Sequence, residues 1–211
     1  MLIKDISFSS AEENISYDEK LLDLAEQGLS DETLRFWESP DFFIVLGRVS
    51  KPELDVNTDA ADRDDVKIIK RRSGGGTVLQ GPGCLNYSLI LSLEKRPEIR
   101  DIKRSYEFII GKICGAFNSA GVKAEFQPLS DMALSGRKFS GSAQWRRKNF
   151  MLHHGTILYN FPIEKMERYL KMPPDEPPYR KGRSHTEFLT NLKMAPADVK
   201  KVMEIGTAVP N

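Results

Sequence analysis

The sequence predicts an α/β, or α+β, domain built on a mixed, largely antiparallel sheet packed with helices. Three features point there. Short apolar runs rich in β-formers recur along the chain, each bounded by Gly, Pro, Ser or Asp. Long helical periodicity occurs in only two places. Strands and helices follow no regular alternation, which argues against a doubly wound parallel sheet. At 211 residues with 40% apolar and 29% charged content, the chain fits one ordinary core, and residues 1–211 are expected to form a single domain.

In chain order, Ser16–Glu26 reads as a helix, followed by strands at Leu34–Trp37, Phe42–Leu46, Val66–Ile69, Thr77–Leu79 and Tyr87–Leu93. Ile102–Ala120 is the strongest helix. Ile102, Tyr106, Ile109, Ile110, Ile113 and Phe117 recur on one face, Asp101 is placed to cap its start, and Gly121 stops it. A strand at Met151–Tyr159 comes next. Lys171–Ser184 carries four prolines and little apolar content, so an exposed, mobile loop is expected there. A short helix at Pro196–Glu204 closes the pattern.

Composition narrows the function. Lys plus Arg total 31 against 30 Asp plus Glu, a net charge of +1, so neither nucleic acid nor an anionic membrane surface is expected as a partner. Met1–Ser10 holds no apolar run of signal-peptide length, and no stretch reaches the roughly 20 apolar residues of a membrane span. A cytoplasmic location is expected. Cys84 and Cys114 are the only cysteines, far apart and without a C-x-x-C, so both are expected as free thiols. His153 and His154 open a strand, where alternation sends them to opposite faces and precludes a chelating pair. G-x-S-x-G is absent, so a serine hydrolase finds no support.

Two segments stand out chemically. Lys70-Arg71-Arg72-Ser73-Gly74-Gly75-Gly76-Thr77 sets three cations beside three glycines between strands. Glycine lets backbone N–H groups approach a ligand closely, and arginine adds charge-assisted bonds, so the loop suits a phosphate or carboxylate. A tight hairpin with solvated charges is the plainer alternative. The loop is neither a Walker A motif nor a dinucleotide fingerprint, since no G-K-[ST] follows and Leu79 stands where the last glycine should be. The second segment is Ser135–Gln144, SGRKFSGSAQ, in which a Ser-Gly turn precedes Lys138 and then small residues that leave its ammonium accessible. A solvated strand lysine would look the same.

Taken in order, RRSGGGTVLQGPGCLNYS (71–88), SDMALSGRKFSGSAQ (130–144), HHGTIL (153–158) and R-S-H-x-x-x-x-T-N-L (183–192) resemble the catalytic domain of the lipoate–protein ligase family. The resemblance implies a sheet like that of biotin ligases and class II synthetases. It also implies ATP-dependent activation of lipoate or octanoate, with Mg²⁺, to an acyl-AMP, then transfer to a lysine of a lipoyl carrier. That carrier would be a 2-oxoacid dehydrogenase lipoyl domain or a glycine cleavage H-like protein. Carried over by position, Lys138 would contact the acyl carboxylate and phosphate, while Arg71, Gly74, Gly75, Gly76, Thr77, Val78, Leu79 and Asp131 would serve the nucleotide. Arg72, Asn86, Tyr87, Gly141, Ser142, Ala143, His154, Gly155 and Thr156 would meet substrate. Val78, Tyr87 and Leu89 are candidates to line an acyl slot, in which about 0.8 kcal/mol per buried CH₂ would add up to about 5 kcal/mol.

Three departures from the family pattern stand in the sequence. Gln80-Gly81 replaces a His-Asp pair that many relatives carry, Ser130-Asp131 replaces Asn-Asp, and residues 1–211 are expected to form the catalytic domain alone, with no C-terminal accessory domain, as in ligases that work with a separate accessory subunit. The family also holds octanoyl and lipoyl transferases that work through a cysteine thioester without ATP. Their cysteine precedes the block at 130–144, where Ala124–Leu129 has none. Cys84 remains as the alternative nucleophile. Lys171, Arg180, Lys181 and Arg183 are expected to steer an acidic carrier.

Overall fold

The computed structural model describes residues 1–208, so 209–211 of the expected 1–211 domain lie outside the described residues. A seven-stranded sheet runs in the order β1 (Leu2–Asp5), β2 (Thr33–Trp37), β6 (Cys84–Ser92), β10 (Phe150–Leu158), β9 (Arg137–Arg146), β8 (Asp131–Leu134), β7 (Glu125–Gln127). Within this sheet, among the described residues, only β1 and β2 pair in parallel. A three-stranded sheet has β3 (Phe43–Leu46) between β4 (Lys67–Lys70) and β5 (Val78–Gln80). The helices are α1 (Ala11–Glu26), α2 (Pro52–Asp55), α3 (Thr58–Arg63), α4 (Ile102–Ser119), α5 (Glu164–Tyr169), α6 (His185–Phe188) and α7 (Pro196–Thr207). The mixed, largely antiparallel sheet packed with helices is the architecture expected. No helix among the described residues is long and apolar enough to cross a membrane.

The large sheet is covered on both faces, which explains why all nine residues of β6 are buried. On one face Leu85, Tyr87, Leu89 and Leu91 meet Ile109, Ile113 and Phe117 of α4 and Val199 and Met203 of α7. On the other, Ile90 and Leu152 take Leu21, Leu22 and Ala25 of α1. Leu158 and Cys84 pack on that side with Ile44 and Leu46 of the small sheet. This second face, between α1 and the small sheet, carries the candidate site.

α4 begins where it was expected, with the Asp101 carboxylate accepting from Arg104 N at 2.9 Å, and Gly121 past its end has φ +85°. Ile102 departs from the reading: in the first turn it is 59% exposed rather than part of the apolar face. α1 starts earlier than Ser16 because Ser10 caps it, accepting from Glu13 N at 3.3 Å. Its first turns are pinned by an internal polar network, not by apolar periodicity. Arg35, 0% exposed, donates to Asp18 Oδ1 at 2.7 Å and Asn14 Oδ1 at 2.7 Å. Asp18 Oδ2 accepts from Trp37 Nε1 and Ser88 Oγ. A buried ion pair with its remaining valences satisfied fixes orientation more than it adds stability, and here it holds α1 across the middle of the sheet.

Candidate active site

Directly opposed residues in an antiparallel ladder point to the same side, so the register gives the composition of the site face. Three rows cross β6, β10 and β9 on the side of α1 and the small sheet. The front row is Asn86, Thr156 and Gly141, continued by Asp131 on β8. The middle row is Ser88, His154 and Ala143, and the back row is Ile90, Leu152 and Trp145. Polarity therefore falls from front to back.

Lys138 reaches the front row through an irregularity. The β8–β9 hairpin turns at Ser135 and Gly136, both with positive φ (49° and 71°), as a tight two-residue turn requires. The register then shifts between Met132, opposite Ser140, and Ala133, opposite Lys138. Phe139 is the extra residue, and it turns into the α4 core against Phe117. Lys138 is thereby placed on the side of Asp131 and Gly141. Its ammonium lies over Gly141, where a Cβ would come within 2.7 Å of Nζ, and pairs with Asp131 Oδ1 at 2.8 Å. Tyr179 donates to Asp131 Oδ2 at 2.8 Å. Lys138 keeps 27% of its side chain accessible, against 6% for Asp131, so its remaining N–H groups face the open site.

The glycine loop lies on the middle row. Arg71, 8% exposed, donates from Nε to Ser73 Oγ at 2.9 Å and from Nη2 to the carbonyls of Gly74 and Gly76 at 2.8 and 2.9 Å. No carboxylate pairs with it among the described residues, and burial pulls its guanidinium down to about 10. A buried cation without a counter-ion is costly unless an anion joins it, so an incoming carboxylate or phosphate would be stabilised here. Gly75 approaches Ala143, its ideal Cβ 3.6 Å from that methyl, while open space lies beside Gly74 and Gly76. Gly47, at the end of β3, supports the loop from behind; a Cβ there would stand 1.9 Å from Gly75 O. Sequence reasoning missed Gly47 because nothing local distinguishes it from a strand-end glycine.

Ser73 Oγ also contacts His154 Nε2 at 2.7 Å. Ser73 Oγ also accepts from Arg71, so this hydroxyl ties the imidazole to the glycine loop. Burial, and then the charge of Arg71, hold half-buried His154 down at about 3. On the opposite face His153, 0% exposed, is held down to about 3 by burial, between Gln144 and Tyr87. Both histidines bind protons more readily unfolded, near pH 6.5, than folded. Their neutral-state stability is therefore intact above about 6.5 and is lost as pH falls toward about 3. The thermal midpoint is expected to fall across that window, and less steeply in His153→Gln. Identical pH profiles for the two chains would rule this account out.

Several expected site residues lie elsewhere, chiefly for reasons of strand parity. Tyr87, Gly155 and Ser142 face α4: Tyr87 Oη sits where a Cβ on Gly155 would meet it at 2.7 Å, and Ser142 Oγ donates to Ser130 O. Leu89, like Tyr87, is core on that face, so neither lines a slot beside Lys138. Leu79 is 1% exposed between the small sheet and its helices, and Thr77 Oγ1 is tied to Asp55 at 2.6 Å. Val78 alone of that strand packs toward the site, beside Trp37. Arg72 turns to α1, pairing with Glu19 at 3.0 Å and stacking on Trp145. Lys171–Ser184 is irregular as expected but not loose. Arg180 is 4% exposed and stacks on Phe188, and Arg183 donates to the carbonyls of Gly136, Tyr179 and Arg180. Neither is available to steer a partner.

The profile of the lipoyl protein ligase A/B catalytic domain matches residues 10–208. The chain belongs to that family. A probable lipoate-protein ligase A of Mycoplasma pneumoniae is 31% identical over 159 residues, covering 75% of this chain and 45% of that protein. An octanoyltransferase LipM of Lysinibacillus sphaericus is 28% identical, covering 72% and 63%. The chain thus spans about half the length of the lipoate ligase relatives it matches. Among solved structures, a lipoate-protein ligase A bound with ATP superimposes with TM-score 0.82 at 20% identity, covering 97% of this chain and 83% of that one. A bipartite lipoate protein ligase of Thermoplasma acidophilum, described with its E2 lipoyl domain, gives 0.78 at 21% identity, covering 97% and 81%. At such identity these likenesses establish the shared fold.

Proposed function

We propose that this lipoyl ligase-family chain activates lipoate or octanoate with ATP and transfers the acyl group to a lysine of a lipoyl carrier. The observation that carries the proposal is Lys138, held over Gly141 at the polar end of a floor that becomes apolar behind it, with buried, carboxylate-free Arg71 nearby. That arrangement suits an amphipathic acid whose head must be brought against a triphosphate. A carboxylate oxygen attacks the α-phosphorus, an O–P bond forms, and the bond to pyrophosphate breaks. The carrier amine then attacks the acyl carbonyl, a C–N bond forms, AMP leaves, and the amine's proton goes to solvent.

In the first step Lys138 and Arg71 offset the negative charge of the approaching groups, and Asp131 with Tyr179 fixes the direction of the ammonium. Among the described residues no three His, Cys, Asp or Glu side chains converge on one point. Mg²⁺ commonly binds through one or two carboxylates plus substrate phosphates; both oxygens of Asp131 are taken by Lys138 and Tyr179, so the ion would be held here chiefly by the nucleotide's own phosphates. It would neutralise charge on the departing pyrophosphate. The relatives' and neighbours' names support lipoate, ATP and a lipoyl domain as substrates and partner, and the bipartite neighbour supports a separate accessory chain.

The thioester alternative needs a reachable thiolate. Cys84 is 0% exposed and burial pushes its thiol up to about 12; Cys114 lies on the core side of α4 and rises to about 11 for the same reason. Cys84→Ser is expected to retain most ATP-dependent activity, measured as carrier mass gain. An acyl thioester trapped on Cys84, with transfer in the absence of ATP, would establish the transferase instead. The test of the main reading is incubation with lipoate, ATP and a lipoyl-domain acceptor, following pyrophosphate release and acceptor mass. No pyrophosphate with either acid would overturn it.

A further inference from the structure

We infer that the outer edge of β1 is a self-association surface, on which a second copy of this chain adds its own β1 antiparallel and joins two seven-stranded sheets into one. β1 ends the large sheet and pairs on one side only, with β2. Leu2 N donates to Glu32 O at 2.8 Å and Ile6 N to Phe36 O at 3.1 Å. Even-numbered residues therefore turn their main-chain groups to β2, while Ile3 and Asp5 turn theirs outward, a template for another strand. The side chains agree. Met1, Leu2 and Ile3 are 45%, 49% and 54% exposed. By register Ile3 lies on the face of Leu34 and Leu2 on the face of Thr33, so apolar surface is bare on both sides of the strand. Other strand edges are blunted by polar and charged residues, Glu125 and Gln127 on β7 and Lys67 and Lys70 on β4.

The residues of the strand select a second copy as its occupant. In an antiparallel pair, outward residues must oppose outward residues, and a two-fold axis leaves few registers. Centring on Lys4 would set two ammonium groups directly opposite each other, which destabilises a pair. Centring on Leu2 would pair only Met1–Ile3. Centring on Ile3 sets that side chain against its own mate, Leu2 against the partner's Lys4, and Met1 against the partner's Asp5. Charge is then complementary throughout. The half-buried Lys4 lays its stem along the partner's Leu2 while its ammonium reaches water, and Asp5 arrives already neutralised by Lys200 of α7 at 2.7 Å. No like charges face each other across the join. The candidate site lies across β6, β10, β9 and β8, beyond β2 from this edge, so the join covers neither copy's Lys138.

Sedimentation velocity over about 1–200 µM tests the association by mass action. Wild type is expected to pass from monomer to dimer across that range. Ile3→Lys, which sets two ammonium groups across the axis, is expected to stay monomeric throughout, with the thermal midpoint of the wild-type monomer. Cysteine substitution then reads the register. Cys84 and Cys114 are buried, so a crosslink reports the introduced thiol. Hydrogen-bonded antiparallel partners have Cα atoms about 5.5 Å apart, within disulfide range, so Ile3→Cys is expected to form a covalent dimer with oxidised glutathione. Leu2→Cys, displaced along the strand from its own mate, is expected to form little. A chain that remains monomeric over the whole range would overturn the inference. A dimer that survives Ile3→Lys and yields no Ile3→Cys crosslink would do the same, since it would lie on another surface. Equal crosslinking of Leu2→Cys and Ile3→Cys would also count against it, because random collision has no register.

Discussion

Lys138→Ala is expected to lower pyrophosphate release by about 10²-fold or more, since it removes an aimed charge from a site where nothing else replaces it. The fold should persist: Asp131 keeps the Tyr179 hydroxyl at 2.8 Å, and the backbone of residue 138 stays anchored by Thr190 N at 2.9 Å. Lys138→Arg is expected to fail as well. The ammonium already lies within 2.7 Å of where a Cβ on Gly141 would be, and a planar guanidinium cannot occupy that niche. Measuring pyrophosphate release beside thermal midpoints separates chemistry from folding. Near-wild-type adenylation by a folded Lys138→Ala chain would falsify the role given to this lysine.

Gly47→Ala is the second large effect expected. The new methyl would lie 1.9 Å from Gly75 O, a distance that backbone cannot accommodate without moving, so the glycine loop must rise from Ala143 and loosen its carbonyls from Arg71. A displacement of an ångström at a positioning loop can cost on the order of 10²-fold in rate, with overpacking adding about 1–3 kcal/mol of destabilisation. Steady-state kinetics on acid and ATP, with unfolding curves in parallel, would measure both. Unchanged kcat/KM for both substrates would mean that the loop's seat on β3 has no part in catalysis.

Much of the fold is legible because its signals are local. α4 announces itself by periodicity, an Asp cap and a Gly stop, and β6 and β10 by unbroken β-forming runs. β1, β7 and β8 are short and lie at or near sheet edges, so little apolar pattern is demanded of them. β9 is masked by Gly, Ser and basic residues, although the Ser135-Gly136 turn marks its hairpin. In the site, Lys138, Asp131 and the glycine loop emerge from sequence blocks, whereas consecutive triplets such as Gly141-Ser142-Ala143 and His154-Gly155-Thr156 mix two faces that only the register separates. Gly47, Tyr179 and Trp145 are brought in by contacts between distant segments, and Arg35–Asp18 replaces the apolar stripe that would have revealed the start of α1.

The register shift opposite Met132 and Ala133 makes the site a matter of odd and even counting. Inserting one residue opposite Phe139, between Met132 and Ala133, would restore an unbroken ladder, deliver the lysine to the α4 core and leave Asp131 facing no cation. Deleting Phe139 instead would also restore the ladder, yet keep the lysine on the side of Gly141. Between Asp131 and Gly141, then, one residue gained on β8 and one lost from β9 mean opposite things: only the first exchanges inside for outside. Roles can be transferred across this hairpin between homologues only where the count of residues, and not just their identity, is preserved.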